Sequence, residues 1–306
     1  MTATVHFLSV PDLTADELER VIGVARMSPG SMGRPLEGKG VALIFEKPSN
    51  RTRQSMEMAV VQLGGHPVYT RGDEIGLDTR EPVEDVVRIM AGYHALIAAR
   101  VFDHAVVERM AAVSPVPIVN LLSDQSHPMQ ALADVLTMTE ELGSLEGRTV
   151  SYVGDFNNVA RSLAEGCVVL GAHVRLGCPS GYCATDAELA RIDGLGTGTI
   201  EQSSDPAEAV GGADVVHTDT WTSMGQESEK GERKEIFGRY QVNGALMAHA
   251  KEEALFMHCM PAYRGDEVTA DVIDGPRSLV IRQGHNRMHA ARGLMVNLLA
   301  HTKIAR

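Results

Sequence analysis

Short apolar runs alternate with helix-period segments along this chain, and that alternation constrains the fold more than any other feature. β-forming runs fall at Val41–Phe45, Pro67–Tyr69, Ala95–Ala98 and Pro117–Leu121, and again near Thr149–Val153, His173–Leu176, Asp214–His217 and Leu255–His258. Between them, Arg53–Leu63 places Met56, Ala59, Val60 and Leu63 at i, i+3, i+4 and i+7, and Gly64-Gly65 follows. That is the spacing of one helical face closed by glycine. Ala160–Val168 repeats it with Ala160, Leu163, Ala164, Cys167 and Val168. Strands that are apolar throughout need cover on both faces, which helices flanking a parallel sheet provide. The expected fold class is therefore α/β, with two doubly wound parallel-sheet domains joined by interdomain helices and an active site in the cleft.

Two domains also suit the length. A chain of 306 residues is long for one core and comfortable for two of about 150. A helix from about His127 to Leu142 is expected to join them, with the boundary near Gly143–Gly147. The first domain then runs 1–142 and the second 143–285, and a C-terminal helix within 286–306 packs back on the first. The formal net charge of -12 makes nucleic acid and anionic membranes poor partners. Four cysteines, Cys167, Cys178, Cys183 and Cys259, suggest no disulfide framework and fit a reducing cytoplasm. The N-terminal segment lacks a basic region followed by an apolar one. No apolar stretch approaches the roughly 18 residues of a membrane span.

Open parallel sheets bind ligands at the carboxyl ends of their strands, so the residues just past each strand are the candidates. After the first strand comes Ser49-Asn50-Arg51-Thr52-Arg53. Pro48 ends the strand and Ser49 suits a helix N-cap. Free backbone N–H groups, hydroxyls and a guanidinium at such an end bind phosphate. Taken alone, the same five residues also describe a capped surface helix with arginines in water. His127-Pro128-Met129-Gln130 puts a proline in the first helical turn and a histidine at its cap. Histidine and amide together can hold a carbonyl oxygen and an NH2 group, or simply cap a helix. Asp219, with Ser223-Met224-Gly225 after it, offers a carboxylate for an ammonium group and a loop that glycine lets move. Cys259, in His258-Cys259-Met260-Pro261, is either reactive or merely small and buried. His285 and His289 lie one helical turn apart without a third ligand, so no metal site is expected.

In this order and with these spacings, Ser49–Arg53, Arg100, His127–Gln130, Asp155–Asn158, Asp219–Gly225 and His258–Pro261 resemble the aspartate/ornithine carbamoyltransferase family over nearly the whole chain. The Ser-x-Arg-Thr-Arg and His-Pro-x-Gln patterns resemble its carbamoyl phosphate half. The segments DTWTSMGQE and HCMPAYRGDEV resemble its ornithine branch. The resemblance implies that Ser49, Asn50, Arg51 and Thr52 bind the phosphate of carbamoyl phosphate. It places Arg100, His127 and Gln130 at the carbamoyl end, with Cys259, Met260 and Arg287 beside it. Asn158, Asp219, Ser223 and Met224 would bind ornithine, with Asn157 in support. The catalytic set it implies is Arg51, Arg100, His127 and Cys259. It further implies no cofactor or metal, and a homotrimer or a multiple of trimers with sites at subunit interfaces. The chain departs from the family at Asn50, where threonine is usual, at Glu74, where the segment commonly resembles Gln-Ile-Gly, and at Tyr263, where histidine is frequent. A carbamoyltransferase for another amine is the nearest alternative. A dinucleotide-binding dehydrogenase would need a glycine fingerprint where Gly154-Asp155-Phe156-Asn157-Asn158 stands. A silent binding protein would have no need of Arg51, His127 and Cys259 together.

Overall fold

Every pairing between named strands in the computed structural model is parallel, as the uninterrupted apolar runs require. Residues 4–222 and 227–301 are described. They form two compact units, one of Met1–Leu136 with His285–Arg306 and the other of Thr137–Gly284. The first unit holds β1 (Gly40–Phe45), β2 (His66–Arg71), β3 (His94–Arg100) and β4 (Ile118–Leu122), in the order β2-β1-β3-β4. The second holds β5 (Thr149–Val153), β6 (His173–Gly177), β7 (Thr199–Ser203), β8 (Val215–Thr218) and β9 (Leu255–His258), in the order β7-β6-β5-β8-β9. Two helices, Pro128–Leu142 and Val280–His301, each run through a boundary between the units.

The central strands explain the apolar runs. In β1 every residue from Val41 to Phe45 is buried, and in β3 every residue from Ala95 to Arg100 is buried. Ile44, Val83, Val87, Ile97, Val107 and Ile118 share one core of the first unit. Val153, Val216, Val242, Phe256, Val268 and Ile273 share one in the second. Each such side chain contributes about 1.5–3 kcal/mol when fully buried. Helix starts are set locally. Thr14 accepts the Glu17 N–H while Glu17 accepts the Thr14 N–H, a reciprocal cap that opens the helix Ala15–Ala25. The long C-terminal helix lies against that helix at Gly293, where a Cβ would come within 2.4 Å of the Val21 carbonyl oxygen.

Two elements differ from the sequence expectation. β7 is a strand that the apolar pattern does not announce. It is an edge strand, with Thr199 and Glu201 exposed, so it has no need of an apolar run. The last helix begins at Val280 rather than Asn286. Its first turn exposes Ile281 and buries Gln283, which inverts the pattern that marks a helical face. No described helix is long and apolar enough to cross a membrane.

Candidate active site

Each sheet has one place where the strand order reverses, and candidate residues follow the strands on both sides of it. In the first unit the chain leaves β1 toward β2 and returns to β3 on the other side. In the second it leaves β5 toward β6 and β7 and returns to β8. Adjacent loops diverge at such points and leave a crevice at the carboxyl ends of the strands.

In the first unit, β1 leads to Ser49, which has extended backbone (φ -154°) and precedes the helix Asn50–Gln62. Asn50 and Arg51 are exposed on its first turn, whereas Thr52 is buried. The Ser49 hydroxyl donates to the Thr52 hydroxyl at 3.0 Å, and the Arg287 guanidinium donates to that same Thr52 oxygen. Arg100 ends β3 opposite Phe45, is buried, and has its carbonyl engaged by the Glu46 N–H at 2.9 Å. After β4, the His127 carbonyl accepts the Gln130 and Ala131 N–H groups and so opens the helix Pro128–Leu142. Gln130 donates from Nε2 to Asp134 at 2.8 Å. Its buried amide oxygen accepts no hydrogen bond from the described residues, leaving an acceptor suited to an NH2 group. The unit thus combines a helix N-terminus, exposed and buried guanidinium groups, and a buried acceptor, a set that can hold an oxyanion joined to an amide.

His127 supplies a further property. Burial first, then the positive charges of Arg287 and Arg100, hold its pKa well below the usual imidazole value. A neutral ring can donate one N–H to an oxygen without adding a third cation. Nuclear magnetic resonance of ring nitrogens should therefore show His127 neutral throughout about pH 8 to 6, where a free imidazole charges. The unfolded chain takes up that proton and the folded one does not, so this group lowers stability as the pH falls below about 6.5. A His127 midpoint near the free value would contradict the reading.

In the second unit, β5 runs into Gly154, whose φ of 142° favours glycine. Asn157 caps the helix Asn158–Val169 by accepting the Val159 and Ala160 N–H groups at 2.9 and 3.1 Å. Its Nδ2 donates to Asp219 Oδ2 at 3.3 Å. Asp219 follows β8 and is buried, and its other oxygen accepts from the Cys259 thiol at 2.9 Å. Cys259 and Met260 follow β9, and Met260-Pro261 is a cis peptide. Asp219, His258 and Cys259 hold potential metal-ligand atoms within 4.8 Å of one another. Both His258 ring nitrogens are nevertheless engaged, by Glu267 and by the Met260 N–H, so this set does not resemble a metal centre. Ser223 and Met224 lie outside the described residues.

Arg233, a buried residue on the helix Lys230–Phe237, is not marked by the sequence pattern. Its guanidinium donates to the Trp221 carbonyl and to Asp155, and stacks 4.9 Å from the Tyr182 ring centroid. Burial raises the Asp155 carboxyl against the pull of Arg233. Arg233 therefore ties the turn after β5 to the segment that follows Asp219. The stretch Lys230-Gly231-Glu232-Arg233-Lys234-Glu235 reads as a solvated helix face, and no sequence signal separates its one buried arginine from the charges around it.

These features define an α/β protein that can seat an oxyanion in one unit and an ammonium group in the other. Residues 5–140 match the family model described as aspartate/ornithine carbamoyltransferase, carbamoyl-P binding domain. Residues 146–298 match that described as aspartate/ornithine carbamoyltransferase, Asp/Orn binding domain. The chain belongs to the aspartate/ornithine carbamoyltransferase family. It is similar to the ornithine carbamoyltransferase of Hyperthermus butylicus, at 48% identity with 96% of each chain covered. It is also similar to that of Chromobacterium violaceum, at 44% with 98% of each covered. Among solved structures it resembles the ornithine carbamoyltransferase from Pyrococcus furiosus, with a TM-score of 0.93, 43% identity and 99% of each chain covered.

Proposed function

We propose that the protein transfers the carbamoyl group of carbamoyl phosphate to the δ-amine of L-ornithine, giving L-citrulline and phosphate. One observation carries the choice of acceptor: a buried carboxylate, Asp219, shared between the Cys259 thiol and the Asn157 amide at the ends of β8, β9 and β5. An amino acid bearing two amines needs such a carboxylate, and the similarity to named ornithine carbamoyltransferases supports the same reading.

The proposed chemistry follows from the groups. Ser49, Asn50, Arg51 and Thr52 hold the phosphate, with Arg287 fixing Thr52. Arg100 and His127 donate to the carbamoyl oxygen, Gln130 Oε1 accepts from the carbamoyl NH2, and the family resemblance implies the Met260 backbone beside that group. Charge grows on that oxygen as the neutral δ-nitrogen attacks, and one preplaced donor there is typically worth about 3 kcal/mol. The N–C bond forms, the C–O bond to phosphate breaks, and the nitrogen loses a proton. A δ-amine has a lysine-like pKa of about 10, so Asp219 and Cys259 hold it and assist that loss. Asn158, Ser223 and Met224 hold the amino acid end. The family resemblance supports a cytoplasmic homotrimer, or a multiple of it, with sites shared between subunits. Citrulline places the enzyme in arginine metabolism, in biosynthesis or in the arginine deiminase route.

The test uses both substrates. Carbamoyl phosphate and L-ornithine should yield citrulline and phosphate in equal amounts. Cys259→Ala removes a thiol bonded to a carboxylate, a contact worth about 1.5–3 kcal/mol, and should lower kcat/KM for ornithine about 10- to 100-fold. Carbamoyl phosphate affinity by calorimetry should stay close to the parent's. Unchanged ornithine kinetics beside a large loss of carbamoyl phosphate affinity would contradict the assignment of Cys259.

A further inference from the structure

The carboxyl end of β9 rests on buried polar groups that the transfer chemistry does not use. His258 and Glu267 are 0% and 1% exposed. His258 Nε2 lies 3.1 Å from Glu267 Oε1, and the Met260 N–H points to His258 Nδ1 at 2.9 Å. A backbone N–H can only donate, so Nδ1 is the acceptor and the ring proton faces the carboxylate from Nε2. The same Glu267 oxygen accepts the Tyr263 N–H at 2.6 Å. The backbone N–H of His258 donates to Gln283 Oε1 at 3.0 Å, which turns the Gln283 amide nitrogen toward His217 Nε2 at 3.2 Å. His217 can accept there, because burial and then the neighbouring His258 keep its pKa down at about 3.

These bonds enclose a turn that needs them. Met260 has φ 58°, left-handed backbone that a residue with a side chain adopts only when its surroundings impose it. The bond from the Met260 N–H to His258 Nδ1 spans that turn, and the residue inside it is Cys259, whose thiol reaches Asp219. We propose that His258 is a positioning residue for the acceptor half of the reaction: it accepts the Met260 N–H while Glu267 anchors its ring, and so fixes the turn that holds the Cys259 thiol against Asp219. This rests on the assignment of Cys259 and Asp219 to the acceptor.

Two substitutions separate the two ends of the ring. Asparagine carries an amide oxygen where imidazole carries Nδ1, so His258→Asn keeps the acceptor for Met260 and drops Glu267. Glutamine carries an amide nitrogen near the place of Nε2, so His258→Gln keeps the link to Glu267 and drops the acceptor. The measurements are ornithine KM and kcat, carbamoyl phosphate affinity, and the rate at which iodoacetamide labels Cys259, located by mass spectrometry. The Asn variant should stay within about fivefold of the parent in ornithine KM and labelling, because the acceptor for the Met260 N–H survives and Glu267 keeps the Tyr263 N–H. The Gln variant should show ornithine KM raised at least about tenfold, faster Cys259 labelling and unchanged carbamoyl phosphate affinity, because a buried N–H loses its acceptor. A Gln variant with parental KM and labelling overturns the proposal, as does an Asn variant that is unfolded or as impaired as the Gln variant. Should the Gln variant not fold, the Asn variant decides alone by the same criteria. A parent that makes no citrulline removes the functional reading, while the labelling comparison still tests the turn.

Discussion

Arg51→Ala is expected to lower kcat/KM on the order of a thousandfold, the upper range for losing one preorganised donor to developing charge, while the protein remains folded. Arg51 is exposed on the first turn of the helix after β1, so truncation leaves no cavity. Alanine is at least as good a helix former as arginine, and a surface change of this kind moves stability by about 0.5 kcal/mol or less. The loss should therefore be chemical. A departing phosphate gains charge as the C–O bond breaks, and a guanidinium forked onto its oxygens stabilises that charge more than it stabilises the substrate. Thermal unfolding monitored by circular dichroism should overlay the parent's, and steady-state kinetics should show the fall chiefly in kcat. Turnover within a few-fold of the parent would move the phosphate site elsewhere.

The sequence made the interior strands legible because they are covered on both faces. Val41–Phe45 and Ala95–Ala98 are apolar for that reason, and the structure extends the first by one residue and the second by three. Edge strand β7 was not legible, since Glu201 and Gln202 need no apolar partners there. The helix Asn158–Val169 shows the opposite failure. Its apolar stripe forecasts one buried face, yet Ser162 and Glu165 are buried too, and Glu165 pairs with Arg191 at 2.6 Å. An ion pair contributed from a distant segment leaves no local pattern.

The candidate residues divide the same way. Ser49–Thr52 and His127–Gln130 are contiguous and start helices, so those starts could be read locally, but the Ser49 hydroxyl bonds the Thr52 hydroxyl rather than a backbone N–H. The bond from Arg287 to Thr52 joins residues far apart in sequence, and Asp219 meets Cys259 only because β8 and β9 are neighbours. The resemblance sets Cys259 opposite Asp219 but says nothing of a bond between Arg287 and Thr52, which only the structure shows. Arg233 acts through a bond to the distant Asp155, and His258 and Glu267 through bonds inside an irregular turn, and neither follows a helix or strand period.

Glu74, the departure that bears most on acceptor choice, lies exposed on the short helix Gly72–Ile75. The segment after it is tied down by Arg109, which pairs with Asp78 at 2.8 Å and Glu84 at 2.7 Å. A carboxylate held near an acceptor would favour a more cationic amine.

L-Ornithine offers a δ-amine, an α-ammonium group and a carboxylate, whereas putrescine lacks the carboxylate. Polar groups arranged for the missing carboxylate would be buried without partners, at about 1–3 kcal/mol each, a factor of roughly 5 to 150. Lysine carries one more methylene, which drives its amine past the carbamoyl carbon. The measurement is phosphate release at saturating carbamoyl phosphate with each of the three amines in turn. kcat/KM for L-ornithine should stand at least about 100-fold above that for putrescine, with lysine also failing. Putrescine or lysine matching ornithine would contradict the ornithine assignment and leave a carbamoyltransferase for a different amine.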